Sequence, residues 1–236
     1  MTTVTITQSN YLPWRGYFSQ IQNSEYFVFL DNVQFTRRDW RTRNRIRTPQ
    51  GAEWLNVPIS KSDSNLDLIE NVSIPSDSFI IKHLETIRRN YTKAKHFEPN
   101  WRELQSILCS SYNENLSNFN QNVIESISNR FNLECKFLNA NQFQSSTNAT
   151  ERLLNICLEL NATKYQTGST AKTYLDVSRF NSCGIEVIWA DYDFKSYDQL
   201  WDLDFDPNLS VVDLILNVGF NNDYLKTLSG EQDEKK

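Results

Sequence analysis

Histidine is almost missing from this chain: His83 and His96 are the only two in 236 residues. The four cysteines, Cys109, Cys135, Cys157 and Cys183, are far apart and form no CxxC pair. Neither a zinc site nor a disulfide framework is therefore indicated, no metal-ligand cluster appears, and the cysteines read as reduced core residues. There is no G-x-S-x-G elbow and no Cys–His pairing, so no covalent nucleophile stands out. Glycine and proline number six each and are scattered, which leaves nothing that resembles a linker. One domain over residues 1–225 is expected, with 226–236, which includes the charged run EQDEKK, as a frayed tail. No apolar stretch is long enough to cross a bilayer, and MTTVTITQ lacks the basic start and apolar core of a secretory leader. The expected compartment is the cytoplasm, with no membrane partner. No internal repeat is visible.

What the chain does have is a local concentration of arginine. Arg37, Arg38, Arg41, Arg43, Arg45 and Arg47 fall within eleven residues of a chain whose net charge is -5. From Arg41 onward they occupy every second position, which in extended backbone places four guanidinium groups on one face. Arg offers a planar fork of donors for phosphate or carboxylate. The plainer alternative is a solvated edge strand, although such an edge more often uses Lys or mixes signs. Here Asp39 is the one acid, and there is no Lys. Several aromatics lie nearby in sequence (Tyr11, Trp14, Tyr17, Phe35, Trp40, Trp54), either as a cradle for a ring or as ordinary core.

Alternating β-branched residues predict a strand over 3–7, followed by an amphipathic helix over 14–23 and a buried-type strand over 26–31. Further strands are expected over 53–59 and near 69–74. Between them lies a polar loop over 60–67, where Lys61 sits in either a mobile flap or a plain surface loop. Helical spacing then covers 78–97, 101–112 and 116–131. A strand–helix rhythm returns with strands at 134–138, 164–168 and 185–190 and helices over 149–160 and 170–181. A last helix covers 211–218, where Ser210 and Asp213 have capping-box spacing and Gly219 supplies the stop. The pattern predicts an α/β fold with a largely parallel sheet and a helical insertion in the middle.

Ligands of open α/β sheets collect at the carboxyl ends of strands. Three segments qualify and are expected to form one mouth. The first holds Gln8, Asn10, Tyr11, Trp14 and Tyr17, with Gly16 letting a helix start approach a ligand. The second runs from Asp31 through Gln34, Arg37, Arg38, Trp40, Arg43, Asn44 and Arg45. The third is the turn at Gly168 and Ser169. His83 reads equally as a general base or as a hydrogen-bonded core-edge histidine. Asp31 is a candidate base, a ligand-hydroxyl acceptor, or the ion-pair partner of Arg37 or Arg45. Trp40 either stacks on a ring or packs on the sheet. His96 is expected at the carbonyl end of its helix.

The strings ITQSNYLPWRGYF, FVFLDNVQFTRRDWRTRNRI, KHLETIRRNYTKAKHF, YQTGSTAKTYLD and YDQLWDLDFDPNLSVVDLILNVG resemble the WbqC-like protein family over nearly all of residues 4–220. Ser9 departs from that pattern, where the family usually has Pro. The resemblance implies a setting in O-antigen or other surface polysaccharide assembly. By inference from that setting, it implies a transferase that modifies a nucleotide-linked amino sugar by N-acyl or aminoacyl transfer. A non-catalytic nucleotide-sugar-binding or assembly protein is the alternative. Arg37, Arg38, Arg43 and Arg45 are then expected to hold a diphosphate. Gln8, Asn10, Tyr11 and Asp31 would line the pocket, with His83 or Asp31 as base, an acyl donor that is a small molecule or an aminoacylated RNA, and no cofactor or metal. Residues 13–17 (PWRGY) also resemble, in spacing, the H-x-G-H turn of nucleotidylyltransferases. Trp14 and Tyr17 stand where that turn has its two histidines, so the resemblance implies a shared Rossmann-like N-terminal half without nucleotidylyl chemistry.

Overall fold

The computed structural model describes residues 1–60 and 67–228. The Lys61 loop and the last eight residues of the expected tail lie outside that range. The fold is α/β, built on a parallel five-stranded sheet of β1 (Thr3–Thr7), β2 (Tyr26–Phe29), β5 (Lys136–Asn139), β6 (Lys164–Thr167) and β7 (Glu186–Trp189), in the order β5-β2-β1-β6-β7. β3 (Arg43–Thr48) and β4 (Gly51–Asn56) form a separate antiparallel hairpin, so the strand expected over 53–59 does not join the main sheet. The strand expected near 69–74 is a 3-10 turn over Ile69–Asn71, followed by one isolated bridge from Ser73 to Asn115.

Strand alternation sorts the apolar residues onto the two faces of the sheet. Phe27 and Phe29 of β2 pack with α1 (Arg15–Gln22), α2 (Ser78–Tyr91), α3 (Phe97–Ser110), α4 (Leu116–Arg130) and α7 (Val211–Val218). Val28 joins Val4 and Ile6 of β1 on the other side, against α5 (Ala149–Glu159) and α6 (Val177–Ser182). Thr5 points with the phenylalanines under α1, where its hydroxyl is paired with that of Ser24 at 2.7 Å. The order reverses at β1, the position in open parallel sheets where carboxyl-end loops diverge and leave a crevice.

Helix boundaries follow local chemistry. Asn115 and Asn148 cap α4 and α5 by accepting the amides of Asn118 and Glu151, each at 3.0 Å. The single helix expected over 78–97 ends at Tyr91, and α3 starts at Phe97, so His96 lies at an amino end and not at the carbonyl end of a helix. The helix expected over 170–181 is split into a 3-10 turn (Ser169–Thr173) and α6, because Asp176 caps a fresh start through the Ser178 amide. Ser210 caps α7 through the Val212 amide at 3.3 Å, and Gly219 closes the helix at φ 83. Asp213 does not complete a capping box; it is turned into the interior. Of the four cysteines, Cys157 is buried, Cys135 is half-buried, and Cys109 and Cys183 are exposed, so a core location holds for one. No helix among the described residues is long and apolar enough to cross a membrane.

Candidate functional site

A cleft of about 360 Å³ opens where the β1–α1 turn meets the β3 hairpin, lined by Asn10, Pro13, Trp14, Trp40, Asn44, Arg45 and Asn208. The turn is pinned from β3. Asn44 Nδ2 donates to the carbonyls of Tyr11 (3.2 Å) and Leu12 (2.8 Å), and the side-chain oxygen of Asn44 accepts the Arg45 amide at 2.8 Å. Trp40 is fixed from the opposite direction, its carbonyl accepting the Tyr11 amide at 2.9 Å. The segment before α7 closes the third wall. The Ser210 amide donates to the Arg45 carbonyl at 2.8 Å, and the Val211 amide donates to the Pro13 carbonyl at 2.9 Å.

Gly16 has a different use from the one its position suggested. The indole of Trp14 lies against it, so an added Cβ would sit 2.4 Å from Cζ2 and 2.7 Å from Cε2. The space is filled by Trp14 and not left for a ligand. Trp14 in turn packs on Tyr192 at 4.8 Å between ring centroids. Gly16→Ala is expected to drive the indole away from Tyr192. Helix propensity alone would favour Ala by up to about 1 kcal/mol, whereas overpacking costs about 1–3 kcal/mol. The expected result is a net loss in denaturant unfolding together with a changed near-ultraviolet dichroism; an unchanged tryptophan signal would refute the contact.

Arg43, Arg45 and Arg47 occupy alternate positions of β3, but Arg41 falls in the turn before the strand, so the expected face of four is one of three, and the arginines do not share a task. Arg47 is buried and donates to three backbone carbonyls, Leu200 (3.1 Å), Leu203 (2.7 Å) and Asp204 (2.8 Å), which makes it a structural peg. Arg41 donates to Gln8 Oε1 at 2.9 Å and pairs with Asp39 at 3.2 Å. Asp39, the lone acid of the run, organises its turn by also accepting the Thr36 hydroxyl and the Trp40 amide, both at 2.7 Å. Arg37 and Arg38 are exposed on that turn, Arg38 at φ 58.

Arg45 lines the cleft, whereas Arg43, expected there from sequence, is not among its lining residues and lies over Trp54. The guanidinium carbons of Arg43 and Arg45 stand 4.2 and 5.8 Å from the Trp54 ring, which lies tilted against Trp40 at 5.6 Å between centroids. Arg45 meets Asp206 at 3.6 Å, with both side chains about a quarter exposed. The Nε atoms of Arg43 and Arg45 are buried without a hydrogen-bond partner, and so is Asn10 Oδ1. Buried polar atoms are nearly always paired, so Arg45 Nε and Asn10 Oδ1 leave hydrogen-bonding capacity unused at the cleft, and Arg43 Nε does so beside Trp54.

Asn10, Trp14, Trp40, Asn44 and Arg45, singled out from sequence, therefore converge on the cleft. Gly168 comes near from the far side of Trp14: an added Cβ there would stand 3.4 Å from the Tyr192 hydroxyl. Ser169 is exposed at the start of the following 3-10 turn, and Gln34 is exposed and bridged to Leu68. Gln8 lines a neighbouring cavity with Arg152 and Tyr174.

Tyr11 and Tyr17 are core residues, the Tyr17 hydroxyl donating to the Gln8 carbonyl at 3.0 Å. His83 is also buried. Its Nδ1 accepts the Tyr11 hydroxyl at 2.7 Å, it packs on Phe79, and it is not among the residues that line the cleft. Arg45 pairs with Asp206, not with Asp31. The Asp31 carboxylate accepts the Ser9 amide (2.8 Å), Gln121 Nε2 (2.8 Å) and the Ser117 hydroxyl. Sequence reasoning missed Asn208 and Tyr192, which carry no signal of their own, and the structural role of Arg47.

The sequence profile of the WbqC-like protein family matches residues 8–224. The chain belongs to the WbqC-like protein family. A family relative, "Uncharacterized protein Rv1507c" of Mycobacterium tuberculosis (strain ATCC 25618 / H37Rv), is 36% identical over 228 residues, covering 96% of this chain and 98% of that protein. No solved structure matches this WbqC-like chain.

Proposed function

We propose that this WbqC-like protein is a cytoplasmic transferase that binds a nucleotide-linked amino sugar in the Trp14 cleft and modifies its amine by N-acyl or aminoacyl transfer in surface polysaccharide assembly. The observation that carries this reading is a tryptophan-walled cleft beside the amino end of α1, lined by Arg45, whose Nε is partnerless, with the partnerless Arg43 Nε close by over Trp54. Arg43 and Arg45 would bind the diphosphate, Trp14 or Trp40 would stack on a ring, and Asn10 Oδ1 would accept a donor from the ligand. The strand order and the strand–turn–helix placement of PWRGY suit a Rossmann-like, nucleotidylyltransferase-type half.

The seven residues that line the cleft include no carboxylate, imidazole or thiol. Catalysis there would rest on holding amine and acyl donor together. The same observation favours a second reading, a non-catalytic nucleotide-sugar-binding protein of that pathway, which predicts binding without turnover of any donor–acceptor pair. Exposed Trp40, together with Arg37 and Arg38, extends the basic aromatic surface beyond the cleft and suits an aminoacylated RNA as donor, whose binding would weaken steeply with salt.

A thermal-shift screen against nucleotides and nucleotide-linked sugars tests the assignment. A ligand at a hundred times its Kd adds about 2.7 kcal/mol, which for a chain of this size is a rise of roughly 5–10 °C. One nucleotide sugar is expected to give that shift, and Arg43→Ala or Arg45→Ala is expected to abolish it. A shift that survives both substitutions refutes the anion assignment.

A further inference from the structure

We propose that a second cavity, at the carboxyl ends of β2 and β5, is a binding site for a hydroxyl-rich, uncharged or amine-bearing sugar ring. It measures about 430 Å³, larger than the Trp14 cleft and within the ordinary range of small-molecule sites. Its chemistry is the opposite of that cleft. Eight of its thirteen lining residues are Asn or Gln, two are carboxylates (Asp31 and Glu70), and none is Lys, Arg or His. A diphosphate finds no cation there. A ring carrying hydroxyls finds both donors and acceptors, because each amide offers a carbonyl oxygen and two N–H groups.

The floor is preorganised. Asp31, Ser117 and Gln121 are all buried and hydrogen-bonded to one another, and Gln121 Nε2 reaches both the Asp31 carboxylate and the Ser117 hydroxyl at 2.8 Å. Three donors already meet Asp31, yet a carboxylate accepts about four, which leaves room for one hydroxyl or ammonium. Asn32 Oδ1 on the same wall is buried with no partner at all. Around the opening, the side chains of Asn71, Asn118, Asn139 and Gln142 are exposed and form no hydrogen bond among the described residues, so a ligand can recruit them. Glu70 is steadied by Asn141 Nδ2 and keeps its remaining lone pairs. The site also lies where the carboxyl ends of parallel strands put ligands.

The inference does not rest on the nucleotide reading of the Trp14 cleft, and the test separates them. Ligand-observed saturation-transfer NMR would be run on the full chain with glucose, glucosamine, N-acetylglucosamine and glucose 1-phosphate. Saturation transfer to the first three sugars is expected. Asn118→Ala and Asn139→Ala should each weaken binding about fivefold, the loss of one neutral hydrogen bond, without a change in Tm because neither side chain is used by the fold. Arg45→Ala should leave binding unchanged. Loss of the signal in Arg45→Ala but not in the two Asn variants would place the sugar in the Trp14 cleft and overturn the proposal. Absence of transfer at tens of millimolar sugar, or preference for the phosphorylated sugar, would also overturn it.

Discussion

Acidification from pH 6.5 to 4 is expected to cost the fold about 3 kcal/mol through His83 alone. Burial pushes this imidazole down from 6.5 to about 4, against a smaller opposing effect from its hydrogen bond to the Asn56 backbone. Within that window the unfolded chain holds a proton on His83 and the folded chain does not. The unfolded state therefore binds more protons, and stability falls as pH falls. The residue is 7% exposed, so solvent screening removes little of the effect. His83→Gln keeps both hydrogen bonds in principle, with a carbonyl for the Tyr11 hydroxyl and an amide for the Asn56 backbone, but it cannot titrate.

Urea unfolding at pH 4.5, 5.5 and 7 should show a steep slope in the parent protein and a shallower one in the variant. Asp213 works in the opposite sense. Burial raises its carboxyl, so protonation below that raised value favours the fold. Because Asp213 is present in both proteins, the difference between the slopes belongs to His83. Parallel slopes would mean that the imidazole is not held neutral in the core.

Asp213→Ala is expected to be the most damaging single substitution. The carboxylate is fully buried and accepts the hydroxyls of Tyr91 (2.8 Å) and Tyr197 (2.7 Å) and Gln199 Nε2 (2.8 Å). Tyr91 has no alternative arrangement, since its oxygen already accepts the Arg47 amide at 2.8 Å. Truncation leaves these donors buried together, near an arginine that has lost its counter-charge. Breaking such a network from one side costs about 3–5 kcal/mol, or roughly 6–20 °C in Tm. Asp213→Asn, which keeps one acceptor, should lose less. Equal losses for Ala and Asn would show that charge, and not the hydrogen-bond geometry, holds the network. No loss in either would refute it.

Elements whose formation is local were legible in the sequence. β1 matches its alternation residue for residue, and α4 begins where Asn115 can cap it. β4 was legible as a strand but not in its pairing: an apolar run such as WLNVPI fits a buried sheet as well as a hairpin. The arginine face was visible as a period of two, whereas its division of labour depends on carbonyls some 150 residues away, which no local pattern encodes. For the same reason five cleft residues were found from their own segments and Asn208 was not. His83 shows the limit from the other side. Its helical spacing placed it on an apolar face, but only the packing of Tyr11 and Phe79 against it, with Phe119 behind them, excludes water and lowers its proton affinity.

The Trp14 cleft has walls from the beginning and the end of the chain. Asn10 and Trp14 face Asn208, and the bridge from Trp14 to Ser210 joins them. At ribosomal rates of about 5–20 residues per second, roughly 10–40 s separate the synthesis of one wall from that of the other. Throughout that interval Arg47 lacks the carbonyls that enclose it, and the basic strand with its tryptophans has no covering segment. A nascent chain therefore has no finished cleft until Asn208 and the Ser210–Val211 segment have been made.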